Sequence, residues 1–424
     1  MKTIPWVVCG CVSLLLVTSS FGAETQKPYP HYWLSISTIN QSIPGMTSEM
    51  SGIAGMFGRK NMFGPRRDLL LQLESPRVPG ETPKADHEIP PGQHMGTLLP
   101  LVTPVVEKSE RVTPRRGDVP EKFEKPKARM LIYWGCGEKI GAGQPKVIDT
   151  STMKPTDFGK AFAGRTPTHQ TPPMPHAGWT YGEWPNKDNR TEIPAESSLV
   201  GKHLVTGNYT PDISFALDKK RDFMAPVEFS PLQKSAAGAL TVEWKAVPTA
   251  IGYFATAIGH NQDTGESIFW SASQVPDLGM SLQDYLTPGD VNRFIKEKVV
   301  LDPSITTCII PPIFKEGQMG MLQFIAYGEE LNLVQPPKPK DPKKRWDIDW
   351  SAKVRLKSTA MLPLMAGDGS EPPRKARSTK KSKPEPEATD ASNEESNPKS
   401  EGSENAPDSP AGAIGSKLRG LFGF

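Results

Sequence analysis

The sequence predicts a mainly β protein: an antiparallel sandwich over residues 199–335, a second, irregular β region before it, and a disordered C-terminal tail after it. Three observations carry this. Ala239 to Val247 (ALTVEWKAV) places Leu240, Val242, Trp244 and Ala246 on one face and Thr241, Glu243 and Lys245 on the other, the period of a half-buried antiparallel strand. The chain holds 44 prolines and 37 glycines in 424 residues, about one residue in five against a usual level of about 12%, which excludes a helical bundle or long coiled coil. Beyond Ala366 the text is Ser, Pro, Glu, Lys, Asp and Asn with almost no large apolar residue, too poor in apolar surface to offset its ordering entropy.

Residues 1–22 read as a secretory signal peptide: Lys2, an apolar run from Ile4 to Val17, then Ser19, Ser20 and Gly22. The run is too short to span a bilayer. Val8-Cys9-Gly10-Cys11 inside it also resembles a lipoprotein processing box, but the longer apolar stretch follows the box instead of preceding it. Removal of the leader leaves two cysteines, Cys136 and Cys308, each in strand-like text. In an oxidising compartment they form a disulfide or stay as two buried thiols, and both readings are open.

Residues 24–150 form the N-terminal β region. Trp33 to Thr38 (WLSIST) and Asp68 to Glu74 (DLLLQLE) have strand length. Between them lies the Gly/Met-rich Gly45 to Gly64, read as a loop in preference to a copper(I) site, and Glu107 to Lys127 is charged and Pro-spaced like a linker. In Arg129 to Asp149 (RMLIYWGCGEKIGAGQPKVID) an apolar strand enters glycines at 135, 137, 141 and 143. A nucleotide loop would need a helix to start there; Lys146 to Asp149 reads as a strand, so the segment is a β-hairpin. Residues 151–198 are a Pro- and aromatic-rich connector in which Trp179, Tyr181 and Trp184 either pin a loop over the core or form a stacking platform for a sugar.

In the sandwich, Ile251 to Ile258 and Ser267 to Ser271 form the next two strands, joined by turn residues His260 to Glu266. Pro288 to Val299 reads as a helix with Phe294, Ile295 and Val299 on one face. Thr306 to Ile310 and Met321 to Tyr327 complete the set. Residues 336–365 are a basic linker in which Lys353 to Thr359 (KVRLKST) offers an edge strand. The run LTVEWKAVPTAIGYFAT, with Trp244 and Tyr253, resembles the early strands of a fibronectin type III domain, which implies an immunoglobulin-like sandwich and no particular ligand. The helix departs from that pattern and puts the strand order after it in doubt. The chain also resembles an uncharacterised family of exported proteins of Gram-negative bacteria, through Leu131 to Gly137, Trp244 to Tyr253 and Ala326 to Pro336; this resemblance implies export and no activity.

Residues 366–412 are the disordered tail. In the last segment, 413–424, Ile414, Leu418, Leu421 and Phe422 fall at helical spacing beside Lys417 and Arg419, which suits peripheral docking to a membrane surface or partner. The 50 basic and 47 acidic residues differ by +3, too small an excess for a nucleic-acid partner. The seven histidines read mostly as loop residues without metal-ligand spacing, and no G-x-S-x-G occurs, so no catalytic, cofactor or metal residues are assigned and no cofactor is expected. The function expected is an exported, envelope-associated binding or structural protein with an envelope protein or glycan as partner. The alternative is a secreted carbohydrate-active hydrolase or carbohydrate-binding accessory protein. The sequence does not set the oligomeric state.

Overall fold

The computed structural model describes residues 27–41, 64–104, 128–157, 163–261, 263–315, 318–341 and 344–365. The signal peptide, most of the Gly/Met loop, the Glu107 to Lys127 linker, the tail and Ile414, Leu418, Leu421 and Phe422 lie outside them.

The protein is mainly β. In chain order the strands are β1 (His31–Gln41), β2 (Gly64–Ser75), β3 (Ala85–Glu88), β4 (Leu98–Leu101), β5 (Arg129–Trp134), β6 (Lys146–Asp149), β7 (Thr180–Trp184) and β8 (Gly201–Gly207). They continue with β9 (Ile213–Leu217), β10 (Gln233–Lys234), β11 (Leu240–Glu243), β12 (Gly252–His260) and β13 (Ser267–Ser271). After helix α1 (Pro288–Lys296) come β14 (Thr307–Ile310), β15 (Met319–Gln335) and β16 (Trp350–Met365).

Nine strands form one sheet in the order β6-β5-β13-β12-β15-β16-β1-β2-β7, beside a four-stranded sheet β4-β3-β8-β9 and a three-stranded sheet β10-β11-β14. Expected strands recur within β1, β2, β12 and β13, and Arg129 to Asp149 is indeed an antiparallel hairpin. The arrangement differs from the expectation in three respects. The large sheet is mixed, because β1 runs parallel to β16 and β13 parallel to β5. Residues 199–335 do not close on themselves: β10, β11 and β14 pair within the range and β12 pairs with β13 and β15, but β8 pairs with β3, β13 with β5 and β15 with β16. Finally β16 is a central strand, not an edge, flanked along its length by β15 and β1.

The physical reason lies in the side chains. Along β16 Ala352, Val354, Leu356, Ser358, Ala360, Leu362 and Leu364 are all buried. On β1 the same face carries Tyr32, Leu34 and Ile36, none of them exposed. A strand with so continuous an apolar face gains most where both edges are also paired. This first face of the large sheet packs on the two smaller sheets in one core that includes Val205, Ile213, Leu240, Val242 and Ile310. Trp244 and Tyr253 meet there edge to face with ring centres 5.6 Å apart, and Phe324 packs on both. Gly328 allows the approach of β16 at the bulge between Tyr327 and Glu330, since a Cβ would fall 2.7 Å from both Leu356 Cβ and Met224 Sδ.

The second face is divided. At one end Met130, Ile132, Ile148 and Phe269 form a small apolar cluster. In the middle α1 lays Val291 and Phe294 on Phe254, Ile325 and Tyr327. Thr287 caps this helix by accepting from the Asp290 amide at 3.1 Å, and Pro288 supplies the preset φ of a first helical turn. Beyond Tyr327, over β15, β16, β1, β2 and β7, the same face turns polar.

Candidate functional site

The polar part of the second face is built from period-two alternation. Lys353, Arg355 and Lys357 project from β16 opposite to Val354 and Leu356, and the parallel register sets Trp33, Ser35 and Ser37 of β1 beside them. Tyr285 reaches the face from the loop before α1. The five long side chains stack alternately. Lys353 Nζ lies 5.0 Å and Arg355 Cζ 5.0 Å from the centre of the Trp33 ring. Arg355 Cζ is also 4.2 Å, and Lys357 Nζ 4.3 Å, from the centre of the Tyr285 ring. Such contacts favour cations over the negative ring face and strengthen as water is excluded.

The two lysines are neutralised locally. Lys353 Nζ pairs with Glu330 at 2.8 Å, where both side chains are largely buried, and Lys357 Nζ pairs with Asp284 at 2.6 Å. Arg355 has no such partner: its Nε donates to Ser35 Oγ at 2.8 Å, and among the described residues its two terminal nitrogens make neither a hydrogen bond nor an ion pair. Burial lowers the Arg355 pKa, opposed by Tyr285, Asp284 and Glu330. The Tyr285 hydroxyl is raised, mainly by burial, and bonds to Ser37. One carboxylate oxygen of Glu330 is buried without a partner.

A segment without regular structure, residues 163–178, straps this face. Asp277 accepts from the Arg165 amide at 2.9 Å and Asp290 from the Thr168 amide at 2.9 Å. Further along, Gln72 donates to Pro173 O at 3.1 Å and Glu74 accepts from the Met174 amide at 3.1 Å. Asp290 is 3% exposed. Burial pushes its carboxyl up, but bonds from Thr168 and Thr287 and the charge of Arg293 leave it below the usual carboxylate range.

The aromatic cluster expected from the sequence is taken apart by the strand. Trp184 faces the first side and is 2% exposed in the main core. Tyr181 faces the second side, also buried, donating to Glu183 at 2.7 Å with its hydroxyl pKa raised by burial. Trp179 is half-buried before β7, stacked on His31 and tilted against His176. Side chains an odd number of residues apart on a strand point to opposite faces, so Trp184 lies on the other side of the sheet from Tyr181 and Trp179, and the three rings form no common platform. Cys136 and Cys308 are joined in a disulfide with Cα atoms 5.1 Å apart, linking the loop after β5 to β14 and so one sheet to another.

The histidines are not mostly in loops. His31, His87, His203 and His260 lie in β1, β3, β8 and β12. Two of them form a buried chain between sheets: Tyr32 Oη to His87 Nδ1 at 2.7 Å, His87 Nε2 to His203 Nδ1 at 2.9 Å, and His203 Nε2 to Leu199 O at 2.7 Å. A carbonyl only accepts, so His203 carries its proton on Nε2, His87 donates from Nε2, and Tyr32 donates to His87. Burial lowers the pKa of both histidines, His87 strongly.

Two clefts stand out on the surface. One of about 190 Å³ is lined by Gly164, Arg165, Asp277 and Met280 under the strap. The other, about 480 Å³, is an open groove along Glu228, Glu243, Trp244 and Thr306. The first is smaller than an ordinary small-molecule pocket of about 300–1,000 Å³, and the carboxylates of the second stand exposed on its rim. Neither has the enclosed pair of acids that glycoside cleavage uses. No protein-family model, curated protein or solved structure matches this chain.

Proposed function

We propose that this is an exported, envelope-associated binding or structural protein that presents the polar second face of its large sheet to an envelope protein or glycan. The observation that carries the reading is the ladder Lys353, Trp33, Arg355, Tyr285 and Lys357. Elsewhere the second face is covered by apolar packing; here Lys353, Arg355 and Lys357 are held on central β16, partly buried, with Gln170 of the strap against Lys353, the rigid placement that recognition favours. The disulfide between sheets supports export, because such bonds persist in oxidising compartments, and agrees with the signal-like leader. The edge-to-face packing of Trp244 on Tyr253 supports kinship of residues 240–256 with fibronectin type III strands, while the mixed nine-stranded sheet departs from that domain. The basic amphipathic text of 413–424 is proposed as an additional membrane-surface contact.

The test is site-specific photocrosslinking of the full chain in intact envelopes. A photoreactive residue replacing exposed Asn332, beside Lys353 on the second face, is expected to capture a defined partner that the same residue at Lys202, on the four-stranded sheet, does not. Equal capture at both positions, or recovery of the protein in the cytoplasmic fraction, overturns the reading. Deletion of residues 413–424 is expected to lower liposome binding, and unchanged binding removes the tail from the proposal.

A further inference from the structure

We infer that the free end of Arg355 is a binding site for a carboxylate monoanion. This rests on the ladder being the binding face and adds the chemistry of what it binds. The guanidinium plane is held from both sides, by Trp33 and Tyr285, and its Nε is tied to Ser35. Three constraints on one planar group leave the outward pair of N–H donors fixed in direction. That fork matches the two oxygens of a carboxylate, and fixing it in advance removes the rotamer entropy a free arginine would lose on binding.

Charge selects the ligand's valence. Glu330 pairs with Lys353 and Asp284 with Lys357, and both carboxylates also attract Arg355, so these five groups carry a net charge of +1, with Arg355 the cation that has no ion pair of its own. A monoanion neutralises it, whereas a dianion such as hydrogen phosphate would leave a negative charge close to Glu330 and Asp284. The partly desolvated surroundings strengthen the attraction to the first and the repulsion of the second. The flanking Trp33 and Tyr285 rings offer surface beside the guanidinium, so a ligand that carries a sugar ring or an acyl group next to its carboxylate suits the site better than acetate alone.

The experiment uses the full chain at constant ionic strength and follows the Arg355 Nε–H resonance, identified by its loss in Arg355→Lys, together with saturation transfer to the added ligand. Acetate is expected to shift the resonance saturably, with half-saturation in the millimolar range, while chloride shifts it little and without saturation. Galacturonate and N-acetylalanine are expected to bind more tightly than acetate, and the tighter of the two identifies whether a sugar acid or a peptide terminus is the source. Arg355→Lys, which keeps the charge and loses the fork, is expected to weaken acetate binding at least about tenfold by saturation transfer. If that variant does not fold, Ser35→Ala serves instead, with a several-fold weakening expected from the freed Nε. A non-saturating acetate response, equal affinity in the substituted proteins, or phosphate binding tenfold tighter than acetate overturns the inference. Failure here with specific capture at Asn332 removes the carboxylate and leaves the binding face standing.

Discussion

At the scale of single residues, the buried chain from Tyr32 through His87 and His203 to Leu199 has the clearest consequences. All its donors point one way: a proton added to His203 Nδ1 would face the His87 Nε2–H donor, and one added to His87 Nδ1 would require the Tyr32 hydroxyl to turn and accept. The folded pKa values of His87 and His203 lie below the ordinary value, so the unfolded chain binds more protons once the pH falls below about 6.5. Stability from these two groups is therefore fully present above that value and is lost as pH falls through it. Acidification from pH 7.5 to 5.5 is expected to lower the urea midpoint, with at most about 1.4 kcal/mol lost per histidine over this range. A midpoint independent of pH over this range would contradict it. Tyr32→Phe removes the donor to His87 Nδ1 and leaves a buried acceptor unpaired, an expected loss of about 1–3 kcal/mol at pH 7.5 by the same measurement.

Among elements, the strap and α1 depend on one carboxylate. Asp290 bonds the Thr168 amide and hydroxyl and the Thr287 hydroxyl, and pairs with Arg293. Asp290→Ala is expected to free the strap with little effect on the sheets. Limited trypsin digestion should then cut faster after Arg165 by about tenfold, while global stability falls by about 1–3 kcal/mol; an unchanged digestion pattern would show that the other tethers suffice. The strap could not be foreseen from sequence. Residues 163–178 have turn-rich text that fits any loop, and each of their anchors is a side chain far away in the chain. The helix was legible from its start at Pro288 and from Phe294 and Ile295 on one face, but it ends at Lys296, short of the expected Val299. Around β11, alternation put Leu240, Val242 and Trp244 inside and Thr241, Glu243 and Lys245 outward, as found, but it also put Ala246 inside, and Ala246 is exposed because the strand ends at Glu243. Alternation has no information about the partner, which proved to be β14.

For the whole molecule, β1 near one end of the described chain pairs with β16 at the other, so the large sheet closes only when the last strand arrives. A chain ending at residue 349 is expected to lack a cooperative unfolding transition, and one ending at 365 to keep it, as read by circular dichroism. Cooperative folding of the shorter chain would show that the other strands of the large sheet fold without β16. The disulfide closes a separation of 172 residues, and the loop-entropy model gives an upper stabilisation of about 5 kcal/mol. Cys136→Ser with Cys308→Ser should lower the urea midpoint accordingly, and a fall below about 1 kcal/mol would mean that packing between the sheets dominates.

The sequence by itself determined the β character, the hairpin at Arg129 to Asp149, the start of α1 and the inward face of β11, because side-chain period is a local property. Tertiary structure decided which strands neighbour one another, and with that the site. KVRLK carries its cations two residues apart, which says that they share a face; only the register with β1 supplies Trp33 and Ser35, and only the loop before α1 supplies Tyr285. Likewise Trp179, Tyr181 and Trp184 look like one cluster in the text, and the pleat of β7 turns Trp184 to the opposite face from the other two. Strand pairing over more than 300 residues is set by the total burial of the folded chain, to which no local window has access.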